Sequence, residues 1–265
     1  MKESADHPLP PNTSVVDDLN PWVGLSTFTE DLQSFFHGRD SEQEELLRLV
    51  HREPLTVLFG LSGLGKSSLL QAGVFPKLRA QGWLPVPLRL AYAADTLPPV
   101  TQIKEAIVRS VHAAGLSFHR LPTACESLWE FFHSRDAGVF DAQGSQVTLL
   151  LAFDQFEEIF TLGRTADSTG ALRDELLGEL ADLVGNRVPK LLSDRLEQDS
   201  SLIENLDFDR SDYRVLVSLR EDYLAELESL RSKMPLILQN RMRLRPMDGK
   251  PVSYTHLTLP TNREV

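Results

Sequence analysis

Residues 55–67 read LTVLFGLSGLGKS, a short apolar run that stops on a glycine-rich turn ending in Gly65, Lys66 and Ser67. The turn fits the pattern G-x-x-x-x-G-K-[ST] in full, and each fixed position answers a requirement of a phosphate chain. Glycines let the backbone curl around phosphate oxygens with its N–H groups facing inward, and the helix that follows adds the positive end of its dipole. Lys66 is the cation for the β- and γ-phosphates, and the Ser67 hydroxyl is a ligand for Mg²⁺. The candidate cradle is therefore Gly60, Ser62, Gly63, Leu64, Gly65, Lys66, Ser67 and Ser68, and its ligand a nucleoside triphosphate.

A second run, VTLLLAFD at residues 147–154, is apolar until it ends on an acid. A fully buried parallel strand delivers a carboxylate to the C-terminal edge of its sheet in this way. Asp154 is the candidate Mg²⁺ carboxylate opposite Ser67; the competing reading is an ordinary acid capping the next helix. Gln155 follows, an amide that can orient water but cannot accept a proton at neutral pH. Glu157 and Glu158 come next, with Glu157 the nearer candidate for a general base; acids at a helix N-terminus are the alternative. Arg220 closes the apolar run VLVSL, so its guanidinium emerges on the same edge. There it either reads a γ-phosphate or pairs with Glu221 or Asp222.

These groups need a sheet to hold them, and the chain supplies one. Strand signals at residues 55–59, 83–92, 147–154, 214–222 and near 244 alternate with helical patterns, as an α/β fold requires. The expected architecture is a doubly wound, mostly parallel sheet with helices on both faces. Ser41 and Glu44 fit a capping box opening a helix, and residues 171–198 carry leucines at helical spacing for a core-packed helix. Residues 1–19, rich in Pro, Ser, Asp and Asn, read as a flexible leader. Residues 252–265 break the style of what precedes them; VSYTHLTLPT resembles a translated frame of a common transposon-type sequencing adapter, so the segment is read as a non-native tail.

With 265 residues, 42% of them hydrophobic, the chain can bury a full core. A net charge of −11 gives no indication of a nucleic-acid surface. The single Cys125 reads as a small buried hydrophobe in a reducing compartment. No stretch approaches the roughly 18 apolar residues of a spanning helix, and no secretory signal is visible, so the expectation is a cytoplasmic protein.

Taken together, NPWVGLSTFTEDLQSFFHGRD, LFGLSGLGKSSLLQAGVFPKL, LLLAFDQFEEIF and LVSLRED resemble the signal-transduction ATPases with numerous domains, the STAND NTPases, in the bacterial branch with a DQFEE Walker B. The resemblance covers about residues 20–247, inside an NTPase domain read over residues 20–251. It implies that Gly38, Arg39 and Glu42 lie by the nucleotide base and that Arg220 is the sensor arginine, although His37 and Asp40 depart from the family's hhGRExE pattern. It further implies an ATP-loaded switch with slow hydrolysis whose ATP or ADP state governs conformation and homo-oligomerisation, coupled to sensor and effector domains outside this chain. Pro246 sits where relatives begin a winged-helix region. A nucleotide-dependent scaffold without turnover and a P-loop small-molecule kinase are the alternatives. The kinase would need an arginine-rich lid, which residues 163–207 do not supply.

Overall fold

The structure is a computed structural model that describes residues 26–93, 95–162 and 167–247; the proposed leader and the proposed foreign tail lie outside the described residues. Among the described residues seven strands are formed: β1 (Leu55–Gly60), β2 (Trp83–Leu88), β3 (Ser117–Phe118), β4 (Val139–Phe140), β5 (Thr148–Phe153), β6 (Tyr213–Arg220) and β7 (Arg241–Arg243). Five of them build one sheet in the order β2-β5-β6-β1-β7. Every pairing in it is parallel. The pair β3–β4 is a separate antiparallel hairpin.

Helices cover both faces because each strand is apolar on both. Along β5, Leu149, Leu151 and Phe153 enter one core while Leu150 and Ala152 enter the other. In β6, Val215, Val217 and Leu219 oppose Leu216 in the same fashion, the two-residue alternation of a pleated strand. The smaller core lies under α1 (Asp40–Arg52) and a helical run made of α2 (Lys66–Ser68), a π-helical turn (Leu69–Val74) and α3 (Phe75–Ala80). On the other face pack α4 (Pro99–Ala113), α5 (Leu128–His133), α6 (Glu158–Leu162), α7 (Asp167–Val184), and, after α8 (Lys190–Gln198), the short α9 (Leu224–Glu228) and α10 (Leu236–Gln239). Leu192 of α8 joins Trp129 and Leu206 in a satellite cluster. The doubly wound parallel architecture is as the sequence predicts.

Several local expectations need correction. The capping box does not form: Gly38, at φ 81°, turns the chain early, the helix opens at Asp40, and Ser41 Oγ donates to Glu42 Oε2 at 2.8 Å instead. The stretch 171–198 is two helices, because Gly185 and Asn186, the latter at φ 46°, end α7 and Pro189 precedes α8. Strand β2 stops at Leu88 rather than near residue 92, since Leu88 pairs with Phe153, where its only ladder partner ends. Cys125 is exposed, not buried. Its loop is held by backbone instead, with Lys104 Nζ donating to the carbonyls of Thr123 and Glu126.

One side chain locks the edge of the sheet to α1. Asn240 is fully buried; its Nδ2 donates to Leu55 O (2.9 Å), Thr56 Oγ1 (2.9 Å) and Leu49 O (3.1 Å), and its Oδ1 accepts from Arg52 at 2.7 Å. An aliphatic side chain there strands these partners in a dry site. Asn240→Leu should therefore lower unfolding stability by about 3 kcal/mol, read as a shifted denaturant midpoint with an unchanged slope. A shift of less than about 0.5 kcal/mol, the level of an ordinary surface substitution, would show that the network is dispensable.

Candidate functional site

The loop of residues 60–65 leaves the C-terminal end of β1 and enters the helical run at Lys66. Gly63 (φ 78°) and Gly65 (φ 85°) occupy the left-handed region, and nothing lies within 4 Å of the position a Cβ would take at either; conformation, not space, calls for glycine. Gly60 is the reverse case. A Cβ on it would sit 2.6 Å from the carbonyl oxygen of Leu244, so close approach of the residues after β7 demands glycine.

Lys66 folds back over the loop, Nζ donating to Gly60 O at 2.9 Å and Leu61 O at 3.1 Å. Burial holds its ammonium below the usual lysine range, while the negative charges of Glu157 and then Asp154 pull in the opposite direction. Ser67 Oγ donates to Asp154 Oδ2 at 2.5 Å, so the two proposed Mg²⁺ ligands, 87 residues apart in sequence, are in contact. Ser62 is exposed, and the Leu64 side chain packs on the α1-side core. Ser68 points elsewhere: it is buried, and its hydroxyl accepts the N–H of Phe28 at 3.1 Å, tying the N-terminal segment to the first turn of the helix.

Arg39 is brought to the loop by the Gly38 turn and is 4% exposed. Its guanidinium donates to Glu42 (2.5 Å), to Arg245 O (2.8 Å) and to Leu64 O (3.2 Å). These partners are protein groups, two of them carbonyls, so the arginine joins the phosphate loop to the chain leaving β7. Burial raises the Glu42 pKa, but the hydrogen bonds from Arg39 and Ser41, a backbone hydrogen bond and the Arg39 charge together outweigh it and hold the carboxyl below its usual range.

Asp154 follows β5 with its N–H on Leu88 O at 2.8 Å. Gln155 then adopts φ 58°, a left-handed conformation unusual for a residue with a side chain. The turn is fixed from beyond by Phe156, which is buried and whose N–H donates to Ser218 O at 2.8 Å. This reverses the chain and brings Glu157 back over the sheet edge, where Oε2 accepts the N–H of Arg220 at 3.2 Å. Glu158 faces away and pairs with Arg89 at 3.3 Å. The Arg220 guanidinium is hydrogen-bonded to Asp222 and lies 5.9 Å from the centroid of the Tyr223 ring. The fold thus brings Lys66, Ser67, Asp154, Glu157 and Arg220 to one sheet edge, with Gly38 and Arg39 behind the loop.

A P-loop, an acid at the end of a buried strand touching its hydroxyl, and an arginine closing the neighbouring strand make a nucleotide site. The family model described as Novel STAND NTPase 1 matches residues 21–255. The chain belongs to this family. This STAND protein is a P-loop NTPase by family. Among solved structures it is similar to a Walker-type ATPase of Pyrococcus abyssi (18% identity, TM-score 0.48, 86% of this chain and 58% of that one). Others are the ORC2 protein of Aeropyrum pernix, in ADPNP-ADP complexes (16%, 0.44, 78% and 47%), and Cdc6p of Pyrobaculum aerophilum (16%, 0.43, 78% and 45%). The chain spans about half the length of these three structures. A comparison with curated proteins gives no match.

The donors present suit Mg²⁺ with a nucleotide. Ser67 and Asp154 offer hard oxygens, and among the described residues no cluster of three or more His, Cys, Asp or Glu side chains could enclose a metal by itself. Mg²⁺ takes few protein ligands and fills its shell with water and phosphate oxygens, which is what one hydroxyl and one carboxylate leave room for. Three contributors escaped the sequence reading. The carbonyls of Leu244 and Arg245 carry no signal in residue type, whereas Ser218 did, as the one polar residue inside VLVSL.

Proposed function

We propose that this STAND NTPase is an Mg-ATP-loaded switch with slow hydrolysis, whose nucleotide state sets its conformation and self-association. The observation that carries this reading is the Arg39 bridge, which ties a loop carbonyl at Leu64 to the backbone of Arg245, where the chain departs toward whatever follows. A ligand that rearranges the loop must keep or break those bonds, and it can shift the balance of two conformations only by binding them unequally.

Within the site, Lys66 would turn from the loop carbonyls to the β- and γ-phosphates, and Ser67 and Asp154 would hold Mg²⁺. Bound Mg²⁺ would supply charge shielding between the β- and γ-phosphate oxygens. Glu157 would accept a proton from attacking water, with Gln155 orienting that water; its carboxylate lies at this edge, on the Arg220 N–H. Arg220 would exchange Asp222 for the γ-phosphate, so its present ion pair serves as a resting position. Because the residue after Asp154 is an amide, turnover should fall well below one per second, unlike the roughly 1–100 per second of kinases. Family membership leaves the kinase reading without support; a scaffold that never turns over is the second reading, favoured by Gln155. Among the described residues no helix is long and apolar enough to cross a membrane; we place the protein in the cytoplasm.

Light scattering with ATP, ADP and a non-hydrolysable analogue tests the switch. The protein should assemble with one of the γ-phosphate-bearing or γ-phosphate-free states and not the other. Arg220→Ala should keep ATP binding but abolish that difference. Assembly indifferent to the γ-phosphate in the parent would remove the switch and leave a scaffold.

A further inference from the structure

Beside the nucleotide edge, between α6 and the turn that joins β6 to α9, lies an open cleft of about 400 Å³. It is lined by Phe160, Thr161, Tyr223, Asp222 and Glu226, and it holds one cation, Arg220. That guanidinium is hydrogen-bonded to Asp222 and stands 5.9 Å from the centroid of the Tyr223 ring. An acid and an aromatic face together recognise a cation carried on an apolar stem. A second acid is in reserve. Glu221 and Glu228 are paired with Arg243 and Arg241, whereas Glu226, among the described residues, is in no ion pair. Two carboxylates thus face one guanidinium, and the cleft keeps an excess of one negative charge even with its own arginine at home.

When Arg220 turns to a γ-phosphate, Asp222 loses its partner, the Tyr223 ring loses its cation, and the negative excess doubles. What remains suits a second guanidinium or ammonium. We propose that this cleft docks an arginine or lysine side chain of a second copy of the chain, and accepts it only after Arg220 has left. Arg220 is then an internal plug, and its exchange between Asp222 and the γ-phosphate is read at the surface as a change in what the cleft can bind. Charge argues for the occupant. The chain carries 38 acidic against 27 basic residues, a net −11, so two copies repel as wholes and associate only where local charges are opposite. Arg48, Lys190 and Arg231 are exposed and, among the described residues, in no ion pair, so a partner copy has cations to offer. An exposed ion pair contributes little, but one covered by the partner and laid over an aromatic ring contributes more. This inference rests on the switch reading and gives it a direction, since the γ-phosphate-bearing state is the one that assembles.

Sedimentation of the full chain with a non-hydrolysable ATP analogue and with ADP tests this on the parent, Glu226→Gln, Glu226→Lys and Arg220→Ala. The parent should associate with the analogue only, and more weakly as salt rises. Glu226→Gln should weaken that association about tenfold, the contribution of a hydrogen bond to a charged group. Glu226→Lys, which supplies the cleft with a cation of its own, should abolish it. Calorimetric affinity for ATP should stay parental in both, because Glu226 is not among the groups placed on the nucleotide. Arg220→Ala, its plug removed, should associate with ADP as well as with the analogue. If Glu226→Lys melts several degrees early, Glu226→Gln decides alone. Parental association in the Glu226 variants overturns the inference and leaves the switch standing, as does a parent that associates with ADP only. Arg220→Ala that melts like the parent but stays monomeric with both nucleotides overturns it too, since the arginine would then belong to the contact. A parent that associates equally with both nucleotides, or with neither, fails the switch reading itself and takes this inference with it.

Discussion

Lys66→Ala is expected to weaken ATP binding at least about tenfold while shifting unfolding stability by no more than about 1 kcal/mol. Lys66 is the only side-chain cation between Gly60 and Ser68, so nothing nearby replaces it against a triphosphate. Its ligand-free partners are two main-chain carbonyls at the mouth of the loop, and the left-handed backbone of Gly63 and Gly65 does not depend on them. Fold and binding therefore separate in this variant. Because burial depresses the Lys66 pKa, its ammonium loses its proton at a lower pH than an ordinary lysine would. ATP affinity in the parent should fall as pH rises through that range, and in Lys66→Ala this fall should be missing. Calorimetry across pH reads both effects; undiminished affinity in a cooperatively folded variant would refute the phosphate-cradle assignment.

Glu157→Gln should cut phosphate release by about a hundredfold and leave ATP binding nearly unchanged. Two neighbouring glutamates compete for the role of base, and the geometry separates them. Glu157 Oε2 is held by the Arg220 N–H on the nucleotide edge, and its charge is the largest acting on Lys66. Glu158 spends its carboxylate on Arg89 at the surface. A glutamine at 157 can still accept the Arg220 N–H through its amide oxygen, so the turn survives and only proton acceptance is lost. Glu158→Gln, by contrast, should release phosphate at close to the parental rate. Equal losses in both variants would mean that the DQFEE turn acts as a structural unit and that the base lies elsewhere.

The parts of the site that depend on residue type were legible in the sequence. A left-handed loop needs glycine, a buried strand needs an unbroken apolar run, and a partner for the Ser67 hydroxyl at its end needs an acceptor; Gly63, residues 148–153 and Asp154 meet those demands openly. Parallel stacking of the strands followed from their double-sided apolar character. What escaped was held by main chain. Arg39 was assigned to the nucleotide by resemblance, and its actual partners at Leu64 and Arg245 are carbonyls that any residue would present. The capping-box reading starts α1 two residues late, with Ser41 and not Arg39 as its N-cap, because it takes Gly38 for its motif and not for the turn it permits. Gln155 was read for its missing proton acceptor, while its positive φ, which aims Glu157 at Arg220, has no signature in a glutamine.

The order of the strands in space also bears on how the protein is made. β1, with its phosphate loop, emerges early from a ribosome, yet its two neighbours in the sheet are β6 and β7. The Arg39 guanidinium waits for a carbonyl 206 residues further on. During synthesis the N-terminal third therefore carries an apolar strand with both edges open, exposed to pairing with other chains until residues 213–245 arrive. A nascent chain stalled before β6 would hold the whole phosphate loop and Asp154 but lack both strands that flank β1. Competence to bind nucleotide should consequently appear late and abruptly in translation, after the last strand has slid in beside Gly60.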